Sequence, residues 1–204
     1  MSMAERVQIF IDGGNLHHLV FKKLGVQELD FAFEEFAKFL ANGRVITESG
    51  KRFYVGTVRE KEGDAKSKRA MSQQTTLFTK LRSSGWEIKT SKLRTRLEKI
   101  IIDDRVKNHE ALLEKGVREI EFERMREKGI DVKLATDLIV GAVDNKYDTA
   151  IIVSSDGDLV PAIDWVRLRQ NKKVEYIGFS IAGRDNDDAR PSQTLITHTD
   201  IQRI

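Results

Sequence analysis

Val7-Gln8-Ile9-Phe10-Ile11 runs straight into Asp12-Gly13-Gly14-Asn15. A short, nearly continuous apolar run closed by a turn signal is the pattern of a strand buried on both faces, as in a parallel sheet. The pattern recurs downstream: Thr149 to Ser154 (TAIIVS) is a second such run, and Ser155-Asp156-Gly157-Asp158 is its turn. Arg52 to Val58 (RFYVGTV), a short segment at Trp86-Glu87-Ile88, and Val174 to Phe179 (VEYIGF) also read as strands. Helical spacing fills the intervals. Leu16 to Leu24 is closed by Gly25, and Phe31, Phe33, Phe36, Phe39 and Leu40 line one face behind Asp30. A basic segment then enters a helix carrying Leu77 and Leu81 to Ser84-Gly85. Val132 to Val143 and Leu159 to Arg169 follow, the latter with Pro161 in its first turn. Strands alternating with helices predict an α/β fold around a mainly parallel sheet. Ligands bind such sheets at the carboxyl ends of the strands, so Asp12 and Asp156 are expected on the same rim.

Two stretches depart from this rhythm. In residues 92–128, Leu93, Leu97, Ile100, Ile101, Leu112, Leu113, Val117, Ile120 and Met125 fall near a helical period. They predict a broken helix or helical hairpin, a charged insertion over about 92–127 that could act as an arm or a dimer contact. Segment 182–193 reads as a loop, and Thr194 to Thr197 as a last short strand.

With 204 residues the chain is long enough for one domain with a sizeable core. Cysteine is absent, which excludes disulfides, thiol nucleophiles and thiolate metal sites, and four scattered histidines argue against zinc. No run of about 18 apolar residues suggests a membrane span. The start, MSMAERVQIF, does not read as a signal peptide, so a cytoplasmic protein is expected. The net charge of +3 hides an asymmetry. Residues 51–99 hold 14 Lys/Arg against 5 Asp/Glu, whereas residues 131–164 hold seven Asp against two Lys. A metal-dependent enzyme acting on a polyanion needs both, cations for phosphates and carboxylates for a hard metal. Two solvated surfaces of opposite sign would give the same composition.

Asp12, Asp156 and Asp158 stand at strand ends, Asp131 opens a helix, and Asp137 lies among Leu134, Ala135, Leu138 and Ile139. Carboxylates converging on one rim would repel one another, and a divalent cation removes that conflict. An all-oxygen donor set points to Mg²⁺ or Mn²⁺. Each acid also has a local reading. Asp12 and Asp156 could be turn formers, Asp131, Asp158 and Asn15 helix caps, and Asp137 a solvent-facing residue. His17 and His18 read as packing or solvent-facing.

The segments Phe10-Ile11-Asp12-Gly13-Gly14-Asn15-Leu16, Lys128-Gly129-Ile130-Asp131-Val132-Lys133-Leu134-Ala135-Thr136-Asp137 and Val153-Ser154-Ser155-Asp156-Gly157-Asp158-Leu159-Val160-Pro161 resemble the NYN domain, in the family's order. The chain resembles most the LabA-like branch of this family, within the PIN-like nuclease superfamily. The resemblance covers most of residues 6–182, with residues 183–204 expected as a C-terminal loop and short strand of the same domain. It implies a three-layer α/β/α sandwich and metal-dependent ribonuclease chemistry. Motif matching assigns Asp12, Asp137 and Asp156 as catalytic acids, with Asp131 and Asp158 joining them around Mg²⁺ or Mn²⁺. Asn15 supports the first turn and the substrate. Lys66, Lys68, Arg69, Lys80, Arg82 and Lys133 are candidate contacts to a single-stranded RNA backbone, and the insertion is a candidate homodimer contact. The third motif commonly reads Ser-Gly-Asp-Ser-Asp-Phe; Ser155, Gly157 and Leu159 differ here while both acids remain. The competing class is a non-catalytic RNA-binding or protein-interaction module on the same fold. A phosphatase with an aspartyl nucleophile would want an acid where Gly14 stands.

Overall fold

The computed structural model describes residues 4–58, 60, 62–92, 94–126, 129–180 and 190–204. Strand β1 (Arg6–Asp12) enters α1 (Gly13–Leu16), which widens into a π-helical turn (His17–Phe21) before α2 (Lys22–Leu24). There follow α3 (Phe33–Ala41), β2 (Val45–Thr57), α4 (Ala65–Ser83) and β3 (Glu87–Lys92). After β4 (Arg94–Ile101), α5 (His109–Glu114) and β5 (Glu119–Arg126), the chain continues through α6 (Ile130–Val143), β6 (Thr149–Val153) and α7 (Val160–Gln170). It ends with β7 (Lys173–Ile177), α8 (Gln193–His198) and β8 (Ile201–Arg203).

Six strands form one parallel sheet in the order β3-β2-β1-β6-β7-β8. The chain winds outward from β1 through β2 and β3, then returns to the other side of β1 with β6. The strand order therefore reverses between β1 and β6. Alternation along β1 divides the core into two layers. Val7, Ile9 and Ile11 pack with Leu16, Phe21, Phe33, Leu40, Leu77 and Leu81 on one face. Phe10 packs with Tyr54, Leu134, Leu138, Ile152, Ile163 and Tyr176 on the other. Helices cover both faces, so the central strands β1 and β6 are buried almost throughout, and this is what made them readable as nearly continuous apolar runs.

The structure corrects two expectations. The insertion is not a helical hairpin: β4 and β5 pair antiparallel as a separate two-stranded ribbon, and only the short α5 lies between them. Thr194 to Thr197 lies within helix α8, and the last strand is β8. Ser192 caps α8 by accepting from the Leu195 N–H, a local hydrogen bond that overrides the strand tendency of the Thr-rich segment. Leu93, Lys128 and most of the loop expected over 182–193 lie outside the described residues.

Candidate functional site

Ile11 is in register with Val153, so the next residues, Asp12 and Ser154, are neighbours at the ends of two central strands. Asp12 is 6% exposed. Its carboxylate accepts hydrogen bonds from the Asn15 N–H (3.0 Å), Asn15 Nδ2 (3.2 Å) and Ser154 Oγ (3.2 Å). Ser154 Oγ in turn accepts from the Asp156 N–H at 3.2 Å. Asn15 Oδ1 accepts from the Ser155 N–H at 3.2 Å. Two turns that lie more than a hundred residues apart are thus joined, with Asn15 and Ser154 as the cross-links. Asp12 is the residue that caps α1, and Asn15 ties the turns together. Asp156 accepts from the Asp158 N–H at 2.9 Å and caps the 3-10 turn Gly157–Leu159; Asp158 itself is exposed.

Burial pushes the Asp12 carboxyl above its ordinary value, the Asn15 and Ser154 donors hold it down, and the charge of Asp156 adds to the rise. Two negative groups face one another on the rim with part of their hydration removed. Gly13 is required by the same turn: a Cβ there would lie 2.5 Å from the Phe53 ring.

Asp137 is engaged on the neighbouring strand, by the register partner of Asp12. It accepts a hydrogen bond from Tyr54 Oη at 2.8 Å, and its Oδ2 lies 3.7 Å from an Arg52 guanidinium nitrogen and 3.9 Å from Lys89 Nζ. Arg52 pairs in register with Phe10 and lies over its ring, two residues before the rim. Burial pushes the Tyr54 hydroxyl pKa upward, and Asp137 pushes it further, so Tyr54 remains a donor. Asp131 sits in the first turn of α6, which packs beside the 157–159 turn. Among the described residues, no three Asp, Glu or His side chains gather into a group able to hold a metal ion. The five aspartates are therefore not assembled as one cage.

The candidate cations also separate. Lys66, Lys68 and Arg69 are exposed near the start of α4. Lys80 and Arg82 lie at its other end, where Lys80 Nζ donates to the Leu29 carbonyl at 2.7 Å and Arg82 lies over the Phe78 ring. Lys133 Nζ donates to the Thr90 carbonyl. His17 pairs with Glu28 at 2.7 Å and lies half in solvent.

The sequence pattern of the NYN domain matches residues 6–197, nearly the whole chain and all three motifs. The chain belongs to the NYN domain family. No curated protein matches the sequence. A solved structure of a protein of unknown function from Vibrio parahaemolyticus is similar, with 20% identity and a TM-score of 0.59, covering 99% of this chain and 94% of that one. At that identity the likeness concerns the fold. Among the described residues, no helix of this NYN domain is long and apolar enough to cross a membrane.

What remains at the rim is a carboxylate pair, Asp12 and Asp156. That donor set fits a hard octahedral cation of the Mg²⁺ kind, which uses one or two carboxylates and takes its other ligands from water and phosphate. It does not fit an all-protein cage. Sequence reasoning missed Ser154, which bridges the pair, and Arg52, Tyr54 and Lys89, which hold Asp137. Ser154 could have been found by extending the β1–β6 register one residue, had the strand order been known.

Proposed function

We propose that this NYN domain is a metal-dependent ribonuclease of the LabA-like branch of the PIN-like superfamily, cutting single-stranded RNA endonucleolytically. The observation that carries this reading is the meeting of Asp12 and Asp156 at the point where strand order reverses, bridged by Ser154. Asp12 and Asp156 hold a Mg²⁺ or Mn²⁺ ion, and Asp131 and Asp158, from the helix start and the turn beside them, receive its waters. Such an ion acidifies a water and offsets charge developing on the phosphoryl oxygens. Asn15 and Ser154 fix the direction of the Asp12 carboxylate, and the Asp158 N–H that of Asp156, so little reorganisation is needed when the phosphate arrives. Asp137 acts as a positioning residue: it holds Tyr54, the register partner of Asp12, and Arg52, two residues before it. Lys66 and Arg69 meet the RNA backbone, leaving a 5′-phosphate and a 3′-hydroxyl after cleavage.

The reading is tested with purified protein, a labelled single-stranded RNA and Mg²⁺ or Mn²⁺. Asp12→Asn and Asp156→Asn are each expected to reduce cleavage by about a hundredfold or more, with unchanged circular dichroism. Cleavage at the unsubstituted rate by both variants would end the proposal, as would RNA binding without turnover at any divalent ion, which favours the binding-module alternative.

The β4–β5 ribbon is further proposed to join two copies of the chain. Leu97 and Ile101 are more than 60% exposed on it, and an isolated two-stranded ribbon is marginally stable by itself.

A further inference from the structure

A cleft of about 540 Å³ opens beside the Asp12 turn, on the face of the sheet covered by α1 and α4. Its volume lies in the usual range for small-ligand sites. Phe21, Val55 and Leu77 give it an apolar floor, and His18, Ala70 and Gln73 form walls. Gly14 is on its border, and nothing in the protein itself demands glycine there. Its backbone is helical, and a Cβ would meet only Asp12 Oδ1, at an ordinary 3.4 Å. Glycine in a helix costs roughly 1 kcal/mol relative to alanine, so the residue is unfavourable for the fold alone. Its missing side chain leaves Gly14 as the lining residue of the cleft whose Cβ position lies against the Asp12 carboxylate.

The turn that supplies His17 and His18 is a π-helical one, a geometry that recurs at functional sites. The two imidazoles meet edge to face with centroids 5.4 Å apart. The neighbouring amides differ. Gln74 is committed: its Oε1 accepts from the Val58 N–H and its Nε2 donates to the Gly56 carbonyl. Gln73 makes no side-chain hydrogen bond among the described residues and is exposed at the wall. Helical spacing continues the cleft-facing stripe of Ala70, Gln73 and Leu77 upward to Lys66 and Arg69, and Lys22 adds a third cation at the edge. Lys68 falls on the opposite side of α4. A flat apolar slot with an uncommitted amide and three cations at its border suits a heterocyclic base carrying a phosphate.

We propose that this cleft seats a nucleobase of single-stranded RNA, with Gln73 reading its edge and the adjoining phosphate led past Gly14 to the Asp12–Asp156 rim. The proposal deepens the ribonuclease reading, on which it rests for the identity of the polymer.

The test is done without metal, so cleavage plays no part. The full chain is titrated with each of the four nucleoside 5′-monophosphates and with ribose 5-phosphate, following the imidazole resonances of His17 and His18 by NMR. At least one nucleotide is expected to shift them saturably, and ribose 5-phosphate is not. Gly14→Val and, independently, Ala70→Phe should each weaken nucleotide binding by about tenfold or more. Gln73→Ala should change the ranking of the four bases, whereas Lys68→Ala, on the opposite side of α4, should bind as the unsubstituted protein does. Equal shifts with ribose 5-phosphate, no shift with any nucleotide, or unchanged binding by a folded Gly14→Val or Ala70→Phe protein would overturn the proposal. RNA cleavage indifferent to Asp12 would instead remove the ribonuclease reading and leave a nucleotide-binding cleft.

Discussion

Asp12 and Asp137 are both carboxylates near apolar neighbours, yet their surroundings assign them opposite work. Asp12 faces another negative group with neutral donors around it, whereas Asp137 faces a hydroxyl and two cations. The first arrangement is the one proposed to take a cation, and the second already has its counter-charges. Asp137→Asn and Tyr54→Phe should therefore each lower stability by about 1–2 kcal/mol, because a buried partner loses a charge-assisted bond. Asp156→Asn, at the solvent side of its turn, should stay within about 0.5 kcal/mol of the parent. Urea unfolding of the three proteins checks this, and an Asp156→Asn loss as large as that of Asp137→Asn would contradict it. A third aspartate shows the effect of pairing on pH. Arg6 donates to both Asp148 oxygens, at 3.1 and 2.8 Å, and holds that carboxyl down to about 2. A depressed folded value means that the pair contributes stability above the ordinary carboxylate range, near 4, and loses it as the pH falls towards 2. Asp148→Asn should thus melt at a lower temperature at neutral pH, with the gap closing on acidification through that window. A gap constant with pH would show that the carboxylate charge is irrelevant.

The central strands β1 and β6 were legible because helices bury both their faces, and a twice-buried strand is written as a nearly continuous apolar run, whereas the short, exposed edge strand β8 was not. The β4–β5 ribbon was not legible for the complementary reason. Leu97, Ile100, Ile101 and Ile120 are exposed on both its faces, so burial does not impose alternation, and Leu97, Ile100 and Ile101 fall at intervals that imitate a helix turn. Register shows what periodicity could not. Ile100 stands directly opposite Ile120 on one face, while Leu97 and Ile101 share the other. If the ribbon joins two copies, Leu97→Asp combined with Ile101→Asp should reduce the mass measured by light scattering from a dimer to a monomer. An unsubstituted chain that is monomeric at every concentration would dismiss the dimer. The acid after each strand was equally legible, since a turn must follow a buried run. The partners of Asp137 were not, because they depend on which β2 residues α6 packs against.

Across the whole molecule, the cations of the basic segment turn out to be divided along the length of one helix. Lys66 and Arg69 lie at the rim end of α4, and Lys80 and Arg82 lie at the other end, about 20 Å away at 1.5 Å per residue. Four cations that look equivalent in composition therefore cannot all follow one strand of RNA past Asp12. Each phosphate contact to a single strand contributes roughly 0.7 to the slope of log affinity against log salt. With Asp12→Asn as the uncleaving background, Lys66→Ala combined with Arg69→Ala should reduce that slope by about 1.4. Lys80→Ala combined with Arg82→Ala should leave the slope unchanged, because Lys80 is committed to the Leu29 carbonyl and Arg82 to the Phe78 ring. Fluorescence anisotropy over a sodium chloride series separates the two pairs. Equal losses from both would mean that RNA is held by the diffuse positive field of the domain, and the track from α4 to the acidic rim would have to be abandoned.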